Sequence, residues 1–387
     1  VDNNLNEINN IYTVDNITEN PYIHDFTWNN RIKLIGVTYL QYLKFFLIPF
    51  NYRFYYGSGF VDVSHVMTPT NILGWLCLLG TIFSIILFTI KKHRMGVSIS
   101  LLFVPLIYCI NFFQPVPGLF ADRYAFISSL GFSIIVVMII ELLFKKNSFA
   151  MLFCIGYFIV LFIFSFSGVQ KWRNYDTLFN NDMPYLNHVY EPNRIAASTY
   201  LDLSSNVRNS DERNDFLNKA IKYAKQGISL YKGDNFMCQL AGTAYYLQGD
   251  FSNSFDCFSE ALKINPNDNK ARMSLADLSI EMNDYENALK NYNIAFSANY
   301  YEDQIAYKIV DAYCKISDYS KADSINEIIK DKVKPKYIYF ENKGYIFLSR
   351  NDSVQAFHNF ENAISMGLND PKLDEEILLF KHRHLIQ

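Results

Sequence analysis

Residues 242–266 read GTAYYLQGDFSNSFDCFSEALKINP, and the spacing inside this stretch decides the fold of the second half of the chain. Asp250 recurs 34 residues on as Asp284, then as Asp318 and Asp352. Ser254 recurs as Ala288, Ala322 and Ala356, and the same register reaches back to Ala220. Gly242 has its counterpart in Gly344, with Tyr245, Tyr313 and Phe347 three positions further on, while Phe258, Tyr292 and Phe360 follow the small residue by four. An apolar stripe at helical spacing marks only a core face, whereas one long period kept at several positions marks a repeated helix pair. Small residues stand where two antiparallel backbones touch, and aromatic rings fill the gaps beside them. Gly249, Asn283, Ser317 and Asn351 precede the four aspartates, a turn residue followed by a helix cap.

Thirty-four residues is the period of the tetratricopeptide repeat. Pro266 closes one repeat, and the third is degenerate, with Asn326 and Ile329 where the aromatic and the alanine belong. Upstream, Asn193–Leu203 and Asp215–Tyr231 read as the two helices of a further repeat, separated by a polar turn at 204–214. Residues 371–387, PKLDEEILLFKHRHLIQ, read as an amphipathic helix that caps the array. The repeats thus occupy 193–370 behind a linker or first helix at 169–192, and His358, His382 and His384 are read as surface residues.

The first half has a different character, hidden in a mean hydropathy of zero. Residues 32–168 are rich in Phe, Ile and Leu, and four spans stand out at 72–90, 97–113, 124–144 and 149–166, each of a length that covers most or all of a hydrocarbon core. A weaker candidate, IKLIGVTYLQYLKFFLIP at 32–49, carries Lys33, Gln41 and Lys44. It is either a short transmembrane helix with Lys44 facing protein or a helix lying in the interface. The basic turns Lys91-Lys92-His93-Arg94 and Lys145-Lys146 are assigned to the cytoplasmic side. That threading places the loop at 50–69, the Asp122-Arg123 loop and everything after Gly168 on the outer, periplasmic or lumenal side. The expected fold is all-α: a polytopic transmembrane helical bundle of four to five spans followed by a tetratricopeptide α-solenoid. Residues 1–31 are Asn-rich and read as an outer or interfacial loop, in which Asn16-Ile17-Thr18 fits the glycosylation acceptor pattern. The chain starts at Val1 without a signal peptide, which reads as the C-terminal part of a longer protein.

A net charge of −3 argues for no nucleic-acid partner. The six cysteines, Cys77, Cys109, Cys154, Cys238, Cys257 and Cys314, show no ligand spacing and are assigned neither to disulfides nor to zinc. No phosphate-binding loop, zinc-protease motif or nucleophile elbow is present, and no metal or cofactor is assigned. The charged constellation at a membrane boundary is Asp122-Arg123-Tyr124, framed by Pro115, Pro117 and Gly118 before it and Gly131 after. One reading is a structural ion pair at a helix start, with Asp122 near the positive helix end and Arg123 reaching the headgroups. The other is a phosphate site, since a guanidinium fork matches phosphate oxygens. The loop with Tyr52, Arg53, Tyr55, Tyr56, Gly57 and Gly59 reads either as an aromatic belt or as a surface for a sugar or lipid phosphate. Lys171-Trp172-Arg173-Asn174 reads as an interfacial anchor.

The segment PGLFADRYAFISSLG, Pro117–Gly131, resembles the ERYLYLPSLG segment of the transmembrane and tetratricopeptide-repeat O-mannosyltransferases and their bacterial relatives, within the GT-C glycosyltransferase superfamily. Asp122 stands for that family's Glu, and Ser128 for its usual Pro. Glu19-Asn20-Pro21, Leu47-Ile48-Pro49, Trp172-Arg173-Asn174 and Leu178-Phe179 agree in order. The resemblance implies sugar transfer from a polyprenyl- or dolichyl-phosphate donor to a hydroxyl of a protein or glycan. It implies donor-phosphate binding by Asp122, Arg123, Tyr124 and Arg53, with acceptor protein or peptide held on the repeats. The family's catalytic acidic residues lie in a first outer loop, expected upstream of Val1, so no catalytic residue is assigned here and the chain alone is expected to transfer no sugar. The alternative is a membrane-anchored tetratricopeptide scaffold that mediates protein–protein interaction without catalysis.

Overall fold

The computed structural model describes residues 20, 27–47, 53–57, 65–66, 68–116, 118–144, 148–298, 302–330 and 336–384. The Asn16-Ile17-Thr18 triplet, Pro49, Tyr52, Gly59, Pro117 and Lys145-Lys146 lie outside them, and of Asp122 the backbone alone is described. Among the described residues every regular element is helical. The chain divides into two compact units, residues 1–202 with 222–231, and residues 203–221 with 232–387.

Among the described residues the first unit holds α1 (Trp28–Leu47), α2 (Pro69–Ile90) and α3 (Arg94–Cys109). A 3-10 turn at Asp122–Ala125 then leads into α4 (Phe126–Phe144), α5 (Ser148–Lys171), α6 (Tyr175–Leu186) and α7 (Tyr190–Asn206). Among the described residues three stretches, Pro69–Ile90, Arg123–Leu143 and Leu152–Lys171, are long and apolar enough to cross a membrane. The bounds of the span read at 97–113 are corrected: the helix there, α3, runs from Arg94 to Cys109, and its 16 residues rise ~24 Å, most of a ~30 Å hydrocarbon core. The chain turns there because Asn111 adopts a left-handed backbone (φ 60°), which Asn tolerates better than most residues.

The stretch read at 32–49 forms α1, which packs against α2 and α3. The α1 carbonyl of Ile32 accepts from Asn71 Nδ2 (3.2 Å) and Trp75 Nε1 (3.0 Å), and Tyr39 OH bonds Thr81 Oγ1 (2.7 Å). Residue numbers rise together along α1 and α2, so the helices are parallel and α1 starts at the end where α2 starts. Thr38 Oγ1 donates to the Ile110 carbonyl (3.2 Å), and Tyr39 meets Phe103 edge to face at 6.0 Å, which sets α3 antiparallel to α1. Leu34, Ile35, Val37, Tyr39 and Tyr42 are buried within protein. By contrast, none of the most apolar stretch of α5 is buried. α1 and α2 touch backbone to backbone: a Cβ on Gly74 would lie 1.8 Å from the Gly36 carbonyl oxygen, a close approach open only to glycine.

The second unit contains residues 210–221 of α8 (Ser210–Leu230) and four helix pairs. The pairs are α9 (Asn235–Gln248) with α10 (Phe251–Ile264), α11 (Asn269–Glu281) with α12 (Tyr285–Ser297), α13 (Glu302–Lys315) with α14 (Tyr319–Ile329), and α15 (Tyr337–Ser349) with α16 (Ser353–Ser365). Gly249, Asn283, Ser317 and Asn351 are all left-handed, with φ of 79°, 59°, 63° and 62°. The aspartate that follows each one donates its N–H to Tyr245, Ser279, Tyr313 or Phe347 of the preceding helix at 2.8–3.0 Å. Its side chain accepts from the third residue of the next helix, at Asn253, Asn287, Lys321 or Gln355. Four turns of one geometry at one spacing are the structural form of the 34-residue period. Ala261, Ala288, Ala295, Ala322, Ala356 and Ala363 are fully buried, and Phe258, Tyr292 and Phe360 fill the spaces between helices.

The third pair departs from this for a visible reason. Asn326, in the aromatic position, is fully buried and donates to the Tyr339 carbonyl (3.0 Å), while its Oδ1 accepts from Asn342 (3.1 Å). A polar bridge to the next repeat replaces ring packing. The last helix, α17 (Pro371–His384), buries Leu373 and Ile377 against Ala356 and Phe360.

Candidate functional site

The segment carrying Asp122-Arg123-Tyr124 is held by an asparagine hub. Asn111 Oδ1 accepts from the Val116 N–H (2.9 Å) and from Asn20 Nδ2 (3.2 Å), and Asn111 Nδ2 donates to the Leu119 carbonyl (2.9 Å). Asn20, fully buried, also donates to the Val116 carbonyl (3.1 Å). The Tyr-rich loop supports the same segment from another side. Leu119 N–H donates to the Tyr56 carbonyl (3.0 Å), Tyr56 stacks on Phe120 at 5.1 Å, and Ala121 N–H donates to Tyr42 OH (3.3 Å). Three stretches far apart in sequence, around Asn20, Tyr56 and Phe120, thus meet immediately before the Asp122 turn.

Arg123 lies exposed on that turn, its guanidinium 5.2 Å from the Tyr124 ring centre. The N-cap of the turn is Ala121, which has no capping side chain. Arg53 is differently placed. It is 9 % exposed, its Nη1 pairs with Asp182 Oδ1 at 3.0 Å, and its guanidinium lies 3.9 Å from the Tyr185 ring centre. Asp182 Oδ2 also accepts the Phe54 N–H (2.9 Å), so one carboxylate in α6 fixes both side chain and backbone of the loop. The loop and α6 therefore lie at one end of the unit. Leu178 and Phe179 are buried here as well, Phe179 against Phe54 at 5.4 Å. Asn174 caps α6 in a reciprocal capping box with Thr177, while Trp172 and Arg173 remain exposed.

Sequence reading missed Asp182 and Asn111 as the organisers of these loops. Asp182 lies among Asn180, Asn181 and other polar residues, where a carboxylate draws no notice; Asn111 carried a weak signal, an amide at the edge of an apolar run. The chemistry on offer is an exposed guanidinium next to a phenol on a rigid turn, suited to an anionic oxygen. Among the described residues no three His, Cys, Asp or Glu side chains gather as metal ligands.

The first helices of successive repeats carry a second polar surface. Lys308 Nζ of α13 reaches Asp277 of α11 at 2.5 and 2.6 Å, and the Tyr292 hydroxyl donates to the same carboxylate. Burial, and then that bond, push the Tyr292 phenol far up. Lys343 of α15 pairs with Asp323 and Glu327, each at 2.9 Å. Burial pulls the Lys343 ammonium down, but its bonds to Glu327 and Asp323 outweigh this and hold its pKa raised. Between α13 and α15 lies a cleft of about 250 Å³ lined by Tyr307, Asp311, Cys314, Asn342, Tyr345 and Ser349 among others. All six cysteines are free thiols, and burial pushes Cys238 up to about 11.

No curated protein matches the chain. Among solved structures, YrrB, described as a tetratricopeptide-repeat protein with an unusual peptide-binding site, is 15% identical over 53% of this chain and 97% of its own, with a TM-score of 0.40. MamA from Desulfovibrio magneticus RS-1 is 19% identical over 44% of this chain and 94% of its own, with a TM-score of 0.37. A tetratricopeptide repeat protein from Parabacteroides merdae is 17% identical over 50% of this chain and 82% of its own, with a TM-score of 0.33. Residues 237–268, which comprise most of α9, all of α10 and the turn after it, match the tetratricopeptide repeat family.

Proposed function

We propose that the chain is a membrane-anchored interaction scaffold whose tetratricopeptide array holds a protein or peptide partner on the outer side. The observation that carries this reading is the combination, in one chain, of four stacked helix pairs with three helices long and apolar enough to cross a membrane. Exposed Leu152, Phe158, Phe162, Ile163 and Phe166 on α5 form an apolar face of the kind that lipid covers. The outer-side assignment is supported by the Arg53–Asp182 pair, which joins the 53–57 loop to α6 at the end away from the Lys91-Lys92-His93-Arg94 turn. Single cysteines at exposed Asp256 and at Lys92, labelled with an impermeant maleimide in intact cells, test it. Reaction at position 256 and protection at 92 are the expected result, and the reverse pattern overturns the orientation.

A second reading rests on the convergence of Asn20, Tyr56 and the 118–125 segment. These belong to the stretches in which the chain resembles GT-C O-mannosyltransferases or to the loop next to them. In it the turn binds the phosphate of a polyprenyl-phosphate sugar through Arg123 with Asp122 and Tyr124, Arg53 acts through the loop it anchors, and the array presents the acceptor. In a protein that includes the residues upstream of Val1, Arg123→Ala raises the KM for the lipid-linked donor and leaves the helical circular dichroism unchanged. Unaltered donor kinetics make the pair a structural helix start.

A further inference from the structure

α4 packs differently on its two sides. Toward α3 it comes as near as glycine allows, since a Cβ on Gly131 would lie 2.3 Å from the Leu102 nitrogen. Toward α5 it leaves a groove of about 210 Å³, lined by Phe132 and Val137 of α4, Cys154 and Phe158 of α5 and Phe46 of α1 among others. Phe46 stacks on Phe132 at 5.3 Å at one end, and Ile140 is buried at the other. Ser133, the one α4 hydroxyl in the wall, donates to the Ser129 carbonyl (2.8 Å) and calls for no further partner. Val137 and Phe158 are exposed, so the groove is open along its side.

Its depth and its size select the occupant. The groove lies within two of the stretches long and apolar enough to cross a membrane, so hydrocarbon is what reaches its open side. From Phe132 to Ile140 α4 rises ~12 Å, and the groove's volume spread over that length has room for one extended, unbranched alkyl chain. A helix ~10 Å across fills the same volume in about half a turn, which excludes a further helix or a second copy. An isoprenoid, with a methyl branch at every fourth carbon, is wider than the slot. One end is also marked by charge. Phe45, beside Phe46, packs on Tyr56 and Phe120 at 5.3 and 5.8 Å, so the last turn of α1 lies at the end of α4 that carries the Asp122 turn. Lys44, on that same turn of α1, is exposed and makes no hydrogen bond or ion pair among the described residues. An apolar slot that runs into the span from beside an unpaired ammonium has the polarity of an anionic lipid.

We propose that this groove holds one acyl chain of an anionic glycerophospholipid whose phosphate sits at Lys44. The proposal rests on the membrane anchoring in the scaffold reading and is separate from a phosphate at Arg123. The full chain, purified in dodecyl maltoside, is titrated by native mass spectrometry with phosphatidylglycerol, with phosphatidylcholine of the same chains, and with a polyprenyl phosphate. One phosphatidylglycerol binds, ~5-fold more tightly than phosphatidylcholine, the worth of one lysine at an anionic headgroup. Lys44→Gln brings that ratio below ~2-fold. Val137→Trp, which fills the groove from its exposed rim, weakens both phospholipids at least ~10-fold with circular dichroism unchanged. If that variant fails to fold, a diazirine on the bound acyl chain decides, by cross-linking within 132–140 and 154–161. No bound lipid, an adduct that survives Val137→Trp, a ratio unmoved by Lys44→Gln, cross-links elsewhere, or tighter binding of the polyprenyl phosphate overturns the proposal and leaves the anchor standing. A chain that stays monomeric in solution without detergent overturns the anchor as well.

Discussion

Replacing Asp182 by alanine strands two groups at once. The Arg53 guanidinium, 9 % exposed, loses its carboxylate at 3.0 Å, and the Phe54 N–H loses its acceptor at 2.9 Å. Losing one member of a buried ion pair costs ~3–5 kcal/mol, because the other charge stays desolvated. The N–H is part of the same loss rather than an addition to it. In a unit of about two hundred residues, roughly 4 kcal/mol lowers the melting midpoint by ~10 °C. The pair as a whole is worth far less than its halves, since two apolar residues of similar volume in its place are often neutral or better. Arg53→Met with Asp182→Leu therefore recovers most of the loss, less the ~1–2 kcal/mol still owed to the Phe54 N–H. The assay is intrinsic fluorescence in detergent: Trp28, Trp75 and Trp172 are the chain's three tryptophans, and all lie in the first unit. A midpoint for Asp182→Ala within ~2 °C of the parent, or a double variant no better than the single one, would refute a structural role for the pair.

The repeat unit yields three further expectations. Gly344→Ala puts a Cβ 2.3 Å from the ring of buried Phe360, whereas Gly242→Ala meets the Phe258 ring at 3.0 Å. Overpacking costs ~1–3 kcal/mol against a helix-propensity gain of ~1 kcal/mol, so hydrogen exchange in α15 and α16 speeds up for Gly344→Ala while α9 and α10 change little for Gly242→Ala; equal behaviour refutes this. The Glu327 carboxyl is held below its ordinary value by the Tyr339 hydroxyl and then Lys343. Its contribution is present above its ordinary pKa of 4.5 and is lost as the pH falls through the lowered folded value, so acid exposes α14 and α15 to exchange sooner in the parent than the pH-independent Glu327→Gln predicts. Ser317→Gly relieves a serine at φ 63° and stabilises its turn by up to ~1 kcal/mol, where Gly249→Ser costs a similar amount, read from exchange in α14 and α10.

The repeats were legible because their determinants are local. A left-handed residue, an aspartate cap and a small-plus-aromatic pair all lie within about sixteen residues, and each recurs. Asn326 looked like decay of that pattern, and its bridge to Tyr339 and Asn342 depends on the next helix pair, which the period does not encode. The membrane half was legible as apolar runs and no further. The parallel course of α1 and α2 follows from two glycines, Gly36 and Gly74, whose significance is a contact and not a spacing. Arg53 reads from the sequence as part of an aromatic belt or of a sugar- or phosphate-binding surface, because its partner is 129 positions away, in a helix whose neighbours are unremarkably polar. Asp122-Arg123-Tyr124 was found from its framing prolines and glycines, yet what holds it is Asn111, Asn20 and Tyr56.

The position of α1 also bears on the order in which the chain is assembled. Its tertiary bonds to the α3 end and the following loop join residues 72 to 81 positions apart, Thr38 to Ile110, Tyr42 to Ala121 and Arg31 to Phe112. During synthesis α1 emerges before α2 and α3, yet the surfaces that bury Leu34, Tyr39 and Tyr42 come only with α3 and the segment after it. Until then its neighbour is α2, met at the glycine crossing. α1 is made ahead of the elements that enclose it, and a chain interrupted between α2 and α3 leaves the hydrophobic face of α1 without its cover.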